Sequence, residues 1–410
     1  MAAQALGASA GSACAGHPGR AQAACWSGVF AMTLCVFALI ASEFMPVSLL
    51  TPMAADMQVS EGRVGQGIAI SGAFALVMSL CVSSLAGAMD RKKLLLGLTG
   101  LMALSGTVVA LAPNYPVYML GRALIGVVVG GFWSLSAATA MRLVPPQDVP
   151  RALAVFNGGN ALAAVVAAPL GSALGGLIGW RGAFFCLVPL ALVALAWQWL
   201  SLPPMPAQSR KASAGHALAL LRHRAVGLGM LAAGAFFMGQ FTLFTYLRPF
   251  LETVTKVDVP GLSMMLLTLG AAGFVGTTLI GRCLKWHFYR TLMAIPGLMA
   301  LIALALTLFG GHAAAVAALL GLWGLVATAA PVGWWAWLAN TLPHDAEAGG
   351  GLMVAVVQLA IALGSTLGGL LFDVGGYRST FMLSAGVLLG AAALAFLTAR
   401  SQAPSAVQAL

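Results

Sequence analysis

The chain alternates between apolar runs of about twenty residues and short polar or Gly/Pro-rich breaks, and it does so roughly twelve times. A helix of about 20 residues is about 30 Å long, the thickness of the hydrocarbon core of a bilayer. Spans 1 to 6 are predicted at 27–49, 64–88, 94–112, 117–141, 152–178 and 183–201, and spans 7 to 12 at 225–250, 262–284, 291–310, 314–339, 349–372 and 378–399. Lipid offers the backbone no hydrogen-bond partner, so such runs must be helices. The expected fold class is therefore an all-α integral membrane protein of about twelve transmembrane helices. Only 7% of the residues are charged and 60% are hydrophobic, whereas a soluble domain carries roughly a quarter charged residues. The spans use up most of the chain and leave no room for a soluble catalytic domain.

The net charge of +10 does not point to nucleic acid, because Lys and Arg are scattered between apolar runs rather than forming a basic stripe. It reads as topology. With the amino terminus inside, Arg20, Arg91, Lys92, Lys93, Arg142, Arg151, Arg210, Lys211, Arg222, Arg224, Arg282, Lys285, Arg290 and Arg400 fall in inner segments. Arg63, Arg181, Arg248, Lys256 and Arg378 fall in outer ones, and Arg122 lies inside a span. Inner excess predicts both termini on the cytoplasmic side. The connection 202–224 opens with Pro203, Pro204 and Pro206 and then turns basic, which marks a cytoplasmic linker between two six-helix halves at 26–201 and 225–400. Residues 1–25 and 401–410 read as cytoplasmic tails, the first disordered. Duplicated halves of this kind place substrate near the bilayer midplane and alternate its access to the two sides. The six cysteines show no paired spacing, so neither a disulfide framework nor a zinc site is predicted.

Ionisable groups inside lipid cost about 2.5 to 3.5 kcal/mol each on insertion scales and persist chiefly for function. Glu43 and Arg122 are the two that fall clearly within spans, at similar depths. A Glu that alternates between facing Arg122 and holding a proton would give an antiporter its two states. A static ion pair, or an arginine bonded to backbone carbonyls, is the structural alternative.

Several stretches resemble the drug:proton antiporter branch of the major facilitator superfamily. The loop after span 2 reads Gly87-Ala88-Met89-Asp90-Arg91-Lys92-Lys93; span 4 carries Arg122, Gly126 and Gly130; span 5 carries Ala168-Pro169-Leu170-Gly171, then Gly175 and Gly176. Glu43 to Pro52, Gly131-Phe132-Trp133-Ser134, Thr245-Tyr246-Leu247-Arg248-Pro249 and Pro331-Val332-Gly333-Trp334 are similar to bacterial purine ribonucleoside efflux pumps. Sugar efflux relatives share much of this pattern. The resemblance implies the major facilitator fold, a bacterial inner-membrane location, function as a monomer, and export of inosine- or guanosine-like nucleosides in exchange for protons, with sugar or multidrug efflux as the alternative. It further implies a conformational role for Asp90, Arg91, Gly126, Gly130, Pro169 and Gly171.

A purine nucleoside needs flat aromatic faces for its base and amide or hydroxyl groups for its edges. Trp133, Asn157, Asn160, Gln240, Phe241, Phe244, Trp334 and Gln358 lie near midplane depth and are the expected substrate-binding residues. Lipid-facing bulk and helix–helix hydrogen bonds are the structural alternatives for these side chains. No lysine follows a glycine, so no P-loop is present, and no His-Glu-x-x-His occurs. An enzyme is not expected, nor a metal or other cofactor. Cysteine-accessibility labelling is expected to find the 202–224 linker cytoplasmic and the 251–260 loop external; the reverse pattern would reject this topology.

Overall fold

The computed structural model describes residues 25–86, 89–206, 219–342 and 345–402, and every regular element among them is helical. Most of both tails and linker residues 207–218 thus lie outside the described residues. Spans 1 to 4 are the helices Trp26–Met57, Glu61–Ala86, Arg91–Ala110 and Tyr115–Arg142. Spans 5 and 6 occupy Val149–Phe185 and Leu187–Ser201, with the chain turning at Gly179. Spans 8 and 9 form Val259–Phe309 with a break at His287, and spans 11 and 12 form Ala346–Gln402 with a break at Gly376.

Nine described helices are long and apolar enough to cross a membrane, and three of them run for 51, 51 and 54 residues. A helix of that length would be about 75 Å or more, over twice the hydrocarbon thickness. Each of the three crosses twice, so nine plus three gives twelve crossings.

The turns at Gly179 and Gly376 are equivalent. Their backbone angles, φ 75° with ψ 165° and φ 67° with ψ −168°, are open essentially only to glycine. Each is followed by an aromatic residue and an arginine, Trp180-Arg181 and Tyr377-Arg378. One local motif therefore closes both halves. Each half also has its own apolar core, around Met32, Phe132 and Phe184 in the first and around Phe236, Trp323 and Trp337 in the second.

Two expected spans are interrupted. Span 7 is helical over Arg224–Phe244, breaks at Thr245 and Tyr246, and resumes as Leu247–Phe250 and a π-helical turn, Leu251–Thr255. Pro249 has no N–H to donate to the Thr245 carbonyl, which explains the break. Span 10 is split into Ala313–Ala327 and Ala330–Thr341, and Pro331 withholds the donor that Ala327 would accept.

Small residues let the backbones within a half touch. A Cβ at Gly126 would stand 2.3 Å from the Ser71 carbonyl oxygen, and one at Gly130 would stand 2.2 Å from that of Ala75, so spans 2 and 4 meet backbone to backbone. Gly171 and Gly175 likewise hold span 5 against Ser48 and Leu49 of span 1.

Between the halves, contact runs from the face opposite the termini to about the midplane. Span 5 meets span 8 at Gly176 with Val259 and at Val165 with Gly270; span 2 meets span 11 at Gly72 with Gln358. On the same helix faces further toward the termini, a Cβ at Gly158, Gly281 or Gly351 would meet nothing within 4 Å. These helices diverge there, so the gap opens toward the end that carries the termini. Adding a side chain at a touching glycine should therefore separate helices: Gly130→Val is expected to cost at least the roughly 1–3 kcal/mol of an overpacked site, whereas Gly158→Ala should be near neutral, as read by thermal unfolding of the detergent-purified protein.

Candidate functional site

Span 1 carries two prolines inside its helix, Pro46 and Pro52. A proline cannot donate to the carbonyl four residues earlier, so Pro46 leaves the carbonyl of Ser42 without its helical partner. Lipid cannot supply a replacement. Arg122 of span 4 does: its Nη1 donates to Ser42 O at 2.9 Å, and its Nε donates to Gly67 O of span 2 at 3.1 Å. Arg122 is 1% exposed, and its remaining Nη2 has no hydrogen-bond partner. The guanidinium thus ties spans 1, 2 and 4 together at one point.

Glu43 follows Ser42 directly and is partly buried. Its carboxylate lies within electrostatic reach of Arg122 in its own half and interacts with the Gln358 side chain of span 11 in the other. Arg122 is accordingly bonded to carbonyls, with Glu43 as an electrostatic neighbour. The carboxylate stands at the seam between the halves, beside the close approach of Gly72 to the Gln358 backbone.

The next residue, Phe44, crosses the same seam. It stacks on Phe241 at 6.1 Å and 19° and meets Phe244 edge-on at 5.9 Å, while Phe241 and Phe244 meet edge-on at 6.0 Å. Gln240 is adjacent in sequence and half-buried, with its Oε1 unpartnered; the Oε1 of buried Gln358 is also unpartnered. Charge, aromatic faces and two unsatisfied amide oxygens therefore come from spans 1, 4, 7 and 11.

The other residues singled out from sequence lie elsewhere. Trp133 packs edge-on against Phe156 at the margin of the first core. Asn157 is exposed and bonds the Leu153 carbonyl of its own helix, and Asn160 is half-buried. Trp334 is buried against Trp337 in the second core, so its face is closed to a ligand in this conformation. Asp90 caps span 3 by accepting from Lys92 N and also accepts from Met205 N; Arg91 N donates to Met205 O. These bonds join the span 2–3 loop to the start of the linker within the same half, and Gly87 lies outside the described residues. Pro169 frees the carbonyl of Val165, against which Gly270 packs. Gly126, Gly130 and Gly171 serve the close packing described above. Among the described residues no cluster of His, Cys, Asp and Glu could hold a metal.

The family is decided by comparison with known proteins. Residues 32–353 match the family model of the Major Facilitator Superfamily. The chain belongs to that superfamily. It is 67% identical over 387 residues, 94% of this chain and 96% of the relative, to a Pseudomonas aeruginosa protein called transcription regulatory protein OpdE. It is 40% identical over 364 residues, 89% of this chain and 91% of the relative, to the purine ribonucleoside efflux pump NepI of Salmonella paratyphi C. Among solved structures, a bacterial homolog of the human lysosomal transporter Spinster in an inward-facing, occupied conformation overlays with a TM-score of 0.73 at 14% identity, covering 91% of this chain and 96% of that one. The chain is thus a multi-pass transporter of the major facilitator fold.

Arg122→Ala would leave the Ser42 carbonyl unpartnered and remove two charge-assisted hydrogen bonds. We expect it to destabilise the protein by roughly 1–3 kcal/mol, seen as a lowered thermal midpoint in detergent; an unchanged midpoint would mean that the carbonyl has another partner.

Proposed function

We propose that this chain exports purine ribonucleosides such as inosine and guanosine in exchange for protons, by alternating access between its two halves. The observation that carries the reading is the 40% identity to a purine ribonucleoside efflux pump across 89% of this chain. The site chemistry supports it. Phe44, Phe241 and Phe244 offer aromatic faces for a planar base. The free oxygens of Gln240 and Gln358 are acceptors, complementary to the ring N–H and amino donors of hypoxanthine and guanine.

Glu43 is the proton-coupling group in this reading, and Arg122 its partner. An ionised Glu43 is attracted to Arg122 and interacts with the Gln358 side chain across the seam. A protonated Glu43 loses the attraction to Arg122 and exchanges an acceptor for a donor. The two charge states therefore favour different packings of the halves. The transporter sits in the bacterial inner membrane as a monomer with both termini cytoplasmic, as the excess of basic residues in the inner segments supports.

Sugar or multidrug efflux by the same machinery is the second reading, because an aromatic and amide-lined seam also suits those ligands. The name of the Pseudomonas aeruginosa relative suggests a DNA-acting regulator instead. We favour transport, since the scattered basic residues form no stripe for a phosphate backbone. Counterflow of labelled inosine, a sugar and a cationic drug in proteoliposomes discriminates among the substrates, and we expect inosine to exchange; exchange of only the sugar or the drug would overturn the nucleoside assignment. For coupling, Glu43→Gln keeps the shape and removes the charge change. It should abolish accumulation driven by a pH gradient while retaining exchange, whereas Arg122→Ala should impair both. Undiminished gradient-driven transport by Glu43→Gln would move the coupling site elsewhere.

A further inference from the structure

Span 1 has a second carbonyl without a helical donor. Pro52 lies four residues after Ser48, so the Ser48 carbonyl is left open just as Ser42 is by Pro46. Arg122 fills the first vacancy from within its own half. The second is filled from the opposite half, by Nη1 of Arg248 on span 7.

Arg248 is 6% exposed, and its Nε donates to Glu252 Oε1 at 2.7 Å, one turn further along its own segment. The break at Thr245 and Tyr246 turns this segment toward the seam, and Tyr246 reaches span 2 at Gly65, where a Cβ would collide with its hydroxyl. Glu252 aims the guanidinium and neutralises it, so the buried charge has both a counter-ion and an acceptor. The acceptor belongs to the other half. Any motion that opens the face opposite the termini must break this bond, and then both Ser48 O and the arginine fork lose partners in a buried setting. Asp373 of span 11 makes a related contact at the same face, accepting from Ser60 Oγ and Gly62 N at the start of span 2.

We infer that Arg248 is a gating residue of the transport cycle: its bond to the Ser48 carbonyl, left open by Pro52, holds the face opposite the termini shut and sets how readily that face opens. The inference rests on alternating access and is independent of which substrate is carried.

The test uses the full chain in membrane vesicles with its six native cysteines, Cys14, Cys25, Cys35, Cys81, Cys186 and Cys283, replaced. One reporter is Val47→Cys, at a position 1% exposed and packed against the second half. The other is Gly158→Cys, at the open end of the seam. Both are labelled with a membrane-impermeant maleimide presented from either side. Arg248→Ala should raise the labelling rate at position 47 by roughly tenfold, the shift that loss of about one charge-assisted hydrogen bond produces between two states. Labelling at position 158 should fall in step. Pro52→Ala returns an N–H to Ser48 and should shift both reporters the same way by less, and adding Arg248→Ala to it should shift them less than Arg248→Ala does alone. Unchanged labelling at position 47 would overturn the gate. So would a rise at both positions, which is general loosening, and full additivity of the two substitutions would overturn the carbonyl as its partner.

Discussion

A backbone carbonyl inside a bilayer must find a donor within the protein, and span 1 has two carbonyls whose own helix cannot provide one. Pro46 and Pro52 create the vacancies at Ser42 and Ser48, and arginines from spans 4 and 7 fill them. Much of the arrangement at the seam follows from this. Arg122 can be buried with no direct counter-ion bond because two carbonyls receive it. Glu43, next to one of them, is thereby placed within electrostatic reach of a fixed positive charge and of Gln358 on the far side. Two consecutive side chains of span 1, Glu43 and Phe44, then face the second half with opposite chemistry.

The backbone contacts bear on how the seam would move in the proposed cycle. Within a half, the carbonyls of Ser71 and Ala75 press on Gly126 and Gly130, leaving no space for a hinge. Between the halves, Val47, Ile68 and Ala168 pack into the core of the second half, and Tyr246 into that of the first, beside the touching glycines, the aromatic trio and a few polar bonds. The seam is closed toward the face opposite the termini and open toward the termini, the asymmetry that access to one side at a time calls for. Spans 5 and 8 touch at Val165 and Gly270, and nothing lies within 4 Å of a side chain added at Gly158 or Gly281.

The fold was largely legible in the sequence because apolar length and Gly/Pro punctuation report directly on bilayer crossings. The turns at Gly179, His287 and Gly376 fall in the breaks predicted between spans 5 and 6, 8 and 9, and 11 and 12; the departures are in spans 7 and 10, where Pro249 and Pro331 interrupt helices that hydropathy alone reads as unbroken. The turn motif Gly179-Trp180-Arg181 recurs as Gly376-Tyr377-Arg378 and would have shown the internal repeat. Depth counting puts Glu43, Arg122, Phe241 and Gln358 near one level, and the structure has Glu43, Phe241 and Gln358 at the seam with Arg122 beside Glu43. Depth does not give the direction in which a side chain points: Trp334, at a plausible depth, lies inside a core, and Phe44, one residue from Glu43, reaches the seam with no signal in depth to mark it. In the sequence Arg248 counts only as one of the outer charges that mark topology. The signal that distinguishes it is a proline four residues after a serine in another span, which becomes meaningful only once the two are known to meet.

The central claim is that substrate movement and proton movement share the seam around Glu43, and substrate-induced proton flux tests it most directly. Purified protein in vesicles carrying a pH-sensitive dye, with no gradient imposed at the start, would be given inosine on one side. The account predicts proton movement opposite in direction to inosine, absent from protein-free vesicles. Inosine transport without any change in vesicle pH would contradict it.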